Sequence, residues 1–158
     1  MTRQRPAVRG PDAGQMDHAI AADLTELPAL RASIGDWLRS DPEHLEVVDD
    51  AVLVASEMAH IAVRHGADTH PVVLHLWRTH SILVIEVGFQ TVSAEGEISA
   101  ALESSTEDLG VRIIEQLTDR LVAESLGGTA TLRCTFSLAE RDAAGPGHGD
   151  VLGPGGGD

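Results

Sequence analysis

The chain contains no tyrosine and no lysine, and cysteine occurs once, at Cys134. A single cysteine excludes an intramolecular disulfide and a thiolate metal cluster, and it fits a reducing, cytoplasmic setting. Aromatic residues make up only 3% of the 158 residues, so the core has to be built from Val, Leu, Ile and Ala. All 11 basic residues are arginine, which reads as genome composition rather than function. Positive charge is scarce: the formal net charge is −14 and the isoelectric point is about 4.8. A field of that sign repels phosphates and anionic lipid surfaces, so neither a nucleic-acid nor a membrane partner is expected. Long apolar runs are also missing. No stretch approaches the ~18 residues of a membrane span, and residues 1–17 lack the apolar centre of a signal peptide, so a soluble intracellular protein is expected.

Apolar residues, at 42%, are sufficient for one globular domain. The Arg/Pro/Gly-rich segment 1–17 and the Gly/Pro-rich segment 141–158 have no hydrophobic period, and both are expected to be disordered tails. The folded unit is expected over 18–140. It shows no internal repeat.

Within that unit, Leu27, Leu30, Ile34, Trp37 and Leu38 form one helical stripe, with Thr25 or Asp23 as the cap and Ser40-Asp41-Pro42 as the stop. A second helix is expected from Glu43 or Leu45 to Gly66, with Gly66 as its C-cap. Its acidic start (Asp49, Asp50) and basic end (Arg64, His65) suit the helix dipole. Strands are expected at 71–78 and 81–89, joined by Thr79-His80. The acidic segment 90–108 is long for a simple connection and is expected to be a lid-like or recognition loop, or to hold a short helix around Ile98–Leu102. A third helix is expected over 109–121 from the spacing of Leu109, Ile113, Leu117 and Leu121. A strand at 121–126, a Gly127-Gly128 turn and an alternating strand at 129–138 complete the set, with a short strand around His18–Ala22 before it. This order predicts an α+β fold: a two-layer sandwich in which a mixed, mostly antiparallel sheet is covered on one face by three helices.

Ser56-Glu57-Met58-Ala59-His60-Ile61-Ala62-Val63-Arg64-His65 resembles the ATP-site helix of the histidine-kinase-like ATPase fold, in the anti-sigma-factor serine-kinase group of actinobacteria. That pattern is close to Ser-Glu-Leu-x-x-Asn-Ala-x-x-His, which Ser56, Glu57, Ala62 and His65 match. Trp37-Leu38 and Gly110-Val111-Arg112 add to the likeness, which spans about 22–139. The resemblance implies Mg-ATP held by the asparagine, a glutamate acting as base or positioning water, an aspartate reading adenine, and glycines opening the third helix to phosphate. It also implies protein partners of the sigma-factor or anti-anti-sigma type, and dimers formed through the sheet-and-helix side.

Three departures weaken the implied chemistry. Ile61 replaces the asparagine and has no oxygen for magnesium. Phe89 falls where the adenine aspartate belongs, followed by Gln90-Thr91-Val92 in place of a glycine-containing turn. Asp108 takes the first glycine position of the third motif and would repel phosphate. Glu57 and Gly110 are the surviving cofactor-site positions, and Glu57 is the catalytic candidate only if kinase activity survives. The expected reading is a degenerate, pseudokinase-like regulatory protein with no cofactor, acting on transcription or signalling through a protein partner. The alternative is an ATP- and Mg-dependent protein serine/threonine kinase with a divergent site. A third is an unrelated α+β domain binding a small apolar ligand.

Other features have simpler accounts. His60, His65, His70, His75 and His80 recur every five residues, but on a helix His60 and His65 are about 140° apart, so no metal site is expected. Phe89 at a strand end reads as a core plug, and Cys134 as a buried small hydrophobe.

Overall fold

The computed structural model describes residues 14–91, Leu102 and 109–138. Among the described residues, five strands and three helices follow one another along the chain. They are β1 (Gly14–Ile20), α1 (Leu27–Arg39), α2 (Val48–His65), β2 (Val72–Arg78), β3 (Ile82–Gln90), α3 (Leu109–Leu117), β4 (Arg120–Leu126) and β5 (Thr129–Ser137). The strands form one open sheet in the order β1-β2-β3-β5-β4. All four pairings are antiparallel, so the parallel component expected of a mixed sheet does not occur among the described strands. The three helices lie on one face, α2 over β2 and β3, α1 beside β1 and α3 beside β4. This is the α+β two-layer sandwich.

Alternation decides which side of each strand meets the helices. Leu83, Ile85, Val87 and Phe89 of β3 and Ala130, Leu132, Cys134 and Phe136 of β5 all point into the core. Leu27, Leu30, Ile34 and Leu38 of α1 close it from above, with Val54, Met58 and Ile61 of α2. The β4–β5 hairpin turns at Gly127 and Gly128, whose φ values of 59° and 82° suit the two-residue turn that matches strand twist. Thr79 shapes the other hairpin: its hydroxyl oxygen accepts from the N–H groups of Ser81 and Ile82, each at 3.2 Å.

Several boundaries differ from expectation. β1 begins at Gly14, ahead of the expected boundary at residue 18. Its residues are too polar for a clear period, and they are ordered by pairing with β2, Met16 opposite Leu76 and His18 opposite Leu74. The second helix does not run continuously from Glu43. Pro42–Val47 is a 3-10 turn capped by Asp41, whose carboxylate accepts from the Glu43 N–H at 3.1 Å, and the α-helix starts at Val48. Asp23 caps the turn before α1, accepting from the Thr25 N–H at 2.9 Å. Gly66 follows α2 in extended geometry (φ −86°, ψ 165°), not as the expected left-handed cap. In α3, Leu109 is 68% exposed, and the face turned inward is Gly110, Val111 and Ile114. The short helix expected around Ile98–Leu102 and the loop 92–108, Asp108 included, lie outside the described residues, except that Leu102 is helical and buried.

Candidate functional site

The segment that matches a nucleotide-site helix lies on α2, whose apolar side rests on β2 and β3. Ile61, in the middle of that side, is 1% exposed. Phe89, near the end of β3, is 3% exposed and belongs to the same hydrophobic cluster. An aliphatic side chain and a phenyl ring in these places present no oxygen or nitrogen to a ligand.

Beyond Phe89 the chain is tied down on both sides. The Ala67 N–H donates to the Gln90 carbonyl at 2.8 Å, and Gly66 forms an isolated bridge with Thr91. The Thr91 N–H donates to the Gly128 carbonyl at 2.8 Å, and its hydroxyl donates to the same oxygen at 3.1 Å. Gln90 Nε2 donates to the Thr129 hydroxyl at 3.2 Å. The end of β3 is therefore stitched to the α2 C-terminus and to the β4–β5 turn.

The motif residues lie on two helices that pack together, α2 and α3. Ser56 is buried and faces α1, not β3: its hydroxyl donates to the Val52 carbonyl at 2.8 Å and accepts from Arg31 Nε at 2.9 Å. Glu57 is half-buried, and among the described residues it has no hydrogen-bond or ion-pair partner. Gly110 is buried within α3. His60 Nδ1 lies 3.0 Å from the Ser56 carbonyl one turn back. Among the described residues, no cluster of His, Cys, Asp and Glu is arranged to hold a metal ion.

Three polar arrangements escaped the sequence reading because each joins residues distant in the chain. On the sheet face away from the helices, Asp17, His75, Glu86 and Arg133 stand side by side across β1, β2, β3 and β5. Asp17 Oδ1 accepts from His75 Nδ1 at 2.7 Å, and this bond holds the Asp17 carboxyl below its ordinary value. Arg133 Nε donates to Glu86 Oε2 at 2.7 Å. Only strand register could have disclosed this rank; the polar alternation of β5 was its one sequence signal.

On the helix side of the sheet, Arg78 at the end of β2 reaches the C-terminus of α1, and buried His44 lies between Asp41 and the β2–β3 turn. His44 Nε2 donates to the Thr79 carbonyl at 3.1 Å. Its Nδ1 lies 3.1 Å from Asp41 Oδ2 and makes no hydrogen bond among the described residues. The third arrangement is a groove of about 380 Å³ on the outer side of α1 and α2, lined by Arg31, Ala32, Arg39, Asp49, Val52 and Leu53. No described helix is long and apolar enough to cross a membrane.

No protein-family model matches this chain, and no curated protein matches it. Among solved structures it is similar to a chain of the SiaB-SiaC complex from Pseudomonas aeruginosa. The two are 14% identical with a TM-score of 0.50, over 77% of this chain and 89% of that one. At that identity the likeness shows the fold alone.

Proposed function

We propose that this chain is a regulatory protein that works by binding another protein, and that its ATPase-type site no longer takes nucleotide. The observation that carries this reading is the burial of Ile61 and Phe89, 1% and 3% exposed, in one hydrophobic core. A nucleotide-binding relative would place an asparagine and an aspartate at these positions to meet magnesium and adenine. Here the same positions contribute apolar packing, worth about 1.5–3 kcal/mol for each side chain, and exposing them to a ligand would forfeit it. The structural neighbour supports the partner-binding half of the proposal, since its fold is found in a complex of two proteins. The partner class favoured by the motif resemblance is a sigma factor or an anti-anti-sigma-type domain.

Isothermal titration with Mg-ATP tests the first half, with no saturable heat expected; micromolar binding would overturn it. Affinity purification of the full chain from its native cell, with mass spectrometry of what co-elutes, tests the second. Glu57 favours one second reading, because its half-buried carboxylate, without a partner among the described residues, is retained on α2 where a phosphoryl-transfer base would stand. Under that reading the chain is a divergent protein serine kinase. Transfer of labelled phosphate from ATP to a purified partner, lost on Glu57→Gln, would establish it.

A further inference from the structure

The outer side of the α1–α2 pair is a groove with two walls of unlike charge. Its floor is apolar, formed by Ala32, Val52 and Leu53, the last 42% exposed. Each wall is a row of residues four apart in the chain: Arg31, Gly35 and Arg39 on α1, and Asp49, Leu53 and Glu57 on α2. In each row the two charges stand eight residues apart, about 12 Å along the helix axis. These charges make no ion pair across the groove. Among the described residues, Asp49 and Glu57 have no partner, and Arg39 has only Asp36 of its own helix, at 3.9 Å with both side chains exposed. Arg31 is held differently. Its Nε is fixed on the buried Ser56 hydroxyl at 2.9 Å, and its terminal nitrogens make no hydrogen bond to any described residue. A guanidinium fixed in this way is prepared for a carboxylate, because little rotamer freedom remains to be lost.

We propose that this groove is where the chain docks its partner, and that the docking element is an amphipathic helix of another protein. Its apolar stripe would rest on Ala32, Val52 and Leu53. Carboxylates seven or eight residues apart on one flank would meet Arg31 and Arg39, and basic residues at the same spacing on the other flank would meet Asp49 and Glu57. The inference rests on the partner-binding reading and adds to it the surface and the charge pattern of the partner. A helix fits better than an extended segment for two reasons. Two helix walls offer no sheet edge, so an extended chain would leave its backbone groups unpaired, whereas a helix bonds its own. A helix also repeats its side chains on one face every seven or eight residues, about 10.5–12 Å, which matches the charges on both walls. An anionic membrane surface is disfavoured by the net charge of −14. Unlike walls also set the direction in which the helix lies, since turning it end for end would bring like charges together. On this account Ser56 holds Arg31 for a partner carboxylate.

Site-specific photocrosslinking in the native cell tests this. One full-length chain carries a benzophenone side chain in place of Leu53, and a second carries it in place of Trp77, on the sheet face away from the helices. Position 53 is expected to link to another protein, and mass spectrometry of the linked peptide is expected to place the link in a helical segment with the charge pattern above. Position 77 is expected not to link to that protein. A synthetic peptide of the linked segment is then titrated against the purified chain at 0.15 M salt. A groove the length of one short helix covers less than the about 1,200 Å² of a tight complex, so a dissociation constant on the order of 1–100 μM is expected. Leu53→Asp and Arg31→Glu are each expected to weaken binding at least ~10-fold. Reversing the facing carboxylate of the peptide to arginine is expected to restore binding to Arg31→Glu, a rescue that a misfolded variant could not show. A partner linked at position 77 alone, a link from position 53 to a second copy of this chain or to a segment without the pattern, or binding indifferent to both substitutions would overturn the docking site. Only the absence of any linked or co-eluting protein would overturn partner binding with it.

Discussion

Phe89 packs against Gly66. A Cβ placed on Gly66 would come within 3.4 Å of the Phe89 ring and within 2.5 Å of the Ala62 carbonyl oxygen. The glycine is required by close approach, since its φ of −86° is open to any residue. Gly66→Ala is therefore expected to push residue 66 off the Ala62 carbonyl, to disturb the end of α2 and its bridge to Thr91, and to destabilise the fold by about 1–3 kcal/mol, as overpacking does. Urea unfolding checks this.

Restoring the missing motif residue should harm the protein rather than revive it. Ile61→Asn would remove a fully buried aliphatic side chain and leave an amide without partners. The expected loss is about 3 kcal/mol or more, from the lost packing together with the unsatisfied polar group. No Mg-ATP binding is expected to appear, because Phe89 remains in the core. Denaturant melts and calorimetric titration of the same variant check both halves, and magnesium-dependent nucleotide binding by Ile61→Asn would defeat the plugged-core account.

Arg78 should behave as a structural clamp. Its guanidinium lies 4.2 Å from the centre of the Trp37 ring, and Nη1 donates to the Trp37 carbonyl at 2.8 Å. Nη2 donates to the Ser40 hydroxyl at 3.2 Å, and Nε stands 3.9 Å from Asp41. A cation at the end of α1 thus meets carbonyls that the helix leaves unsatisfied. Arg78→Ala is expected to cost about 1–3 kcal/mol, and Arg78→Lys to recover only part of it, because an ammonium cannot stack and fork at once. Thermal melts of the two variants, ranked against the wild type, test the order.

Acid should weaken the fold through carboxylates whose folded-state values are depressed. The His75 hydrogen bond lowers Asp17, and the Thr25 backbone N–H lowers Asp23. A depressed folded value means that the unfolded chain binds more protons just below the ordinary value of 3.8. The contribution is therefore present above that value and lost as pH falls through the folded values. Asp17→Asn is expected to lower stability at pH 6 and to approach the wild type near pH 2.5, which flattens part of this slope. Urea midpoints from pH 2.5 to 6 measure it.

The fold was legible where burial follows a clean period. The Leu27–Leu38 stripe and the alternation from Ala130 to Phe136 each announce one face, and Gly127-Gly128 announces the turn between two strands. β1 was harder to see because an edge strand can carry Gln15, Asp17 and Ala19 outward and still be ordered by its neighbour. The four-residue spacing of Leu109, Ile113 and Leu117 drifts about 40° per step, so it did not mark the inward face, which is centred on Gly110, Val111 and Ile114. At the candidate site, the apolar character of Ile61 and Phe89 was enough to expect burial. The partners of Ser56, Arg78 and His44 were not legible, since they lie 25 to 41 residues away and are set by helix docking and strand register.

Cys134 offers a direct report on whether the core opens. It is fully buried on β5, 3.5 Å from the Met58 sulfur, and burial pushes its thiol up to about 12 from 9.0. The reactive species is the thiolate, so the native protein is expected to resist a disulfide reagent at pH 8 and to react fully once unfolded in urea. A raised folded value also means that stability is intact below pH 9 and falls as pH climbs from 9 toward 12, where the unfolded chain ionises and the native one does not. Rapid thiol labelling of the native chain at pH 8 would show instead that the β5 side of the core exchanges with solvent, and it would count against a sealed nucleotide site on the same sheet.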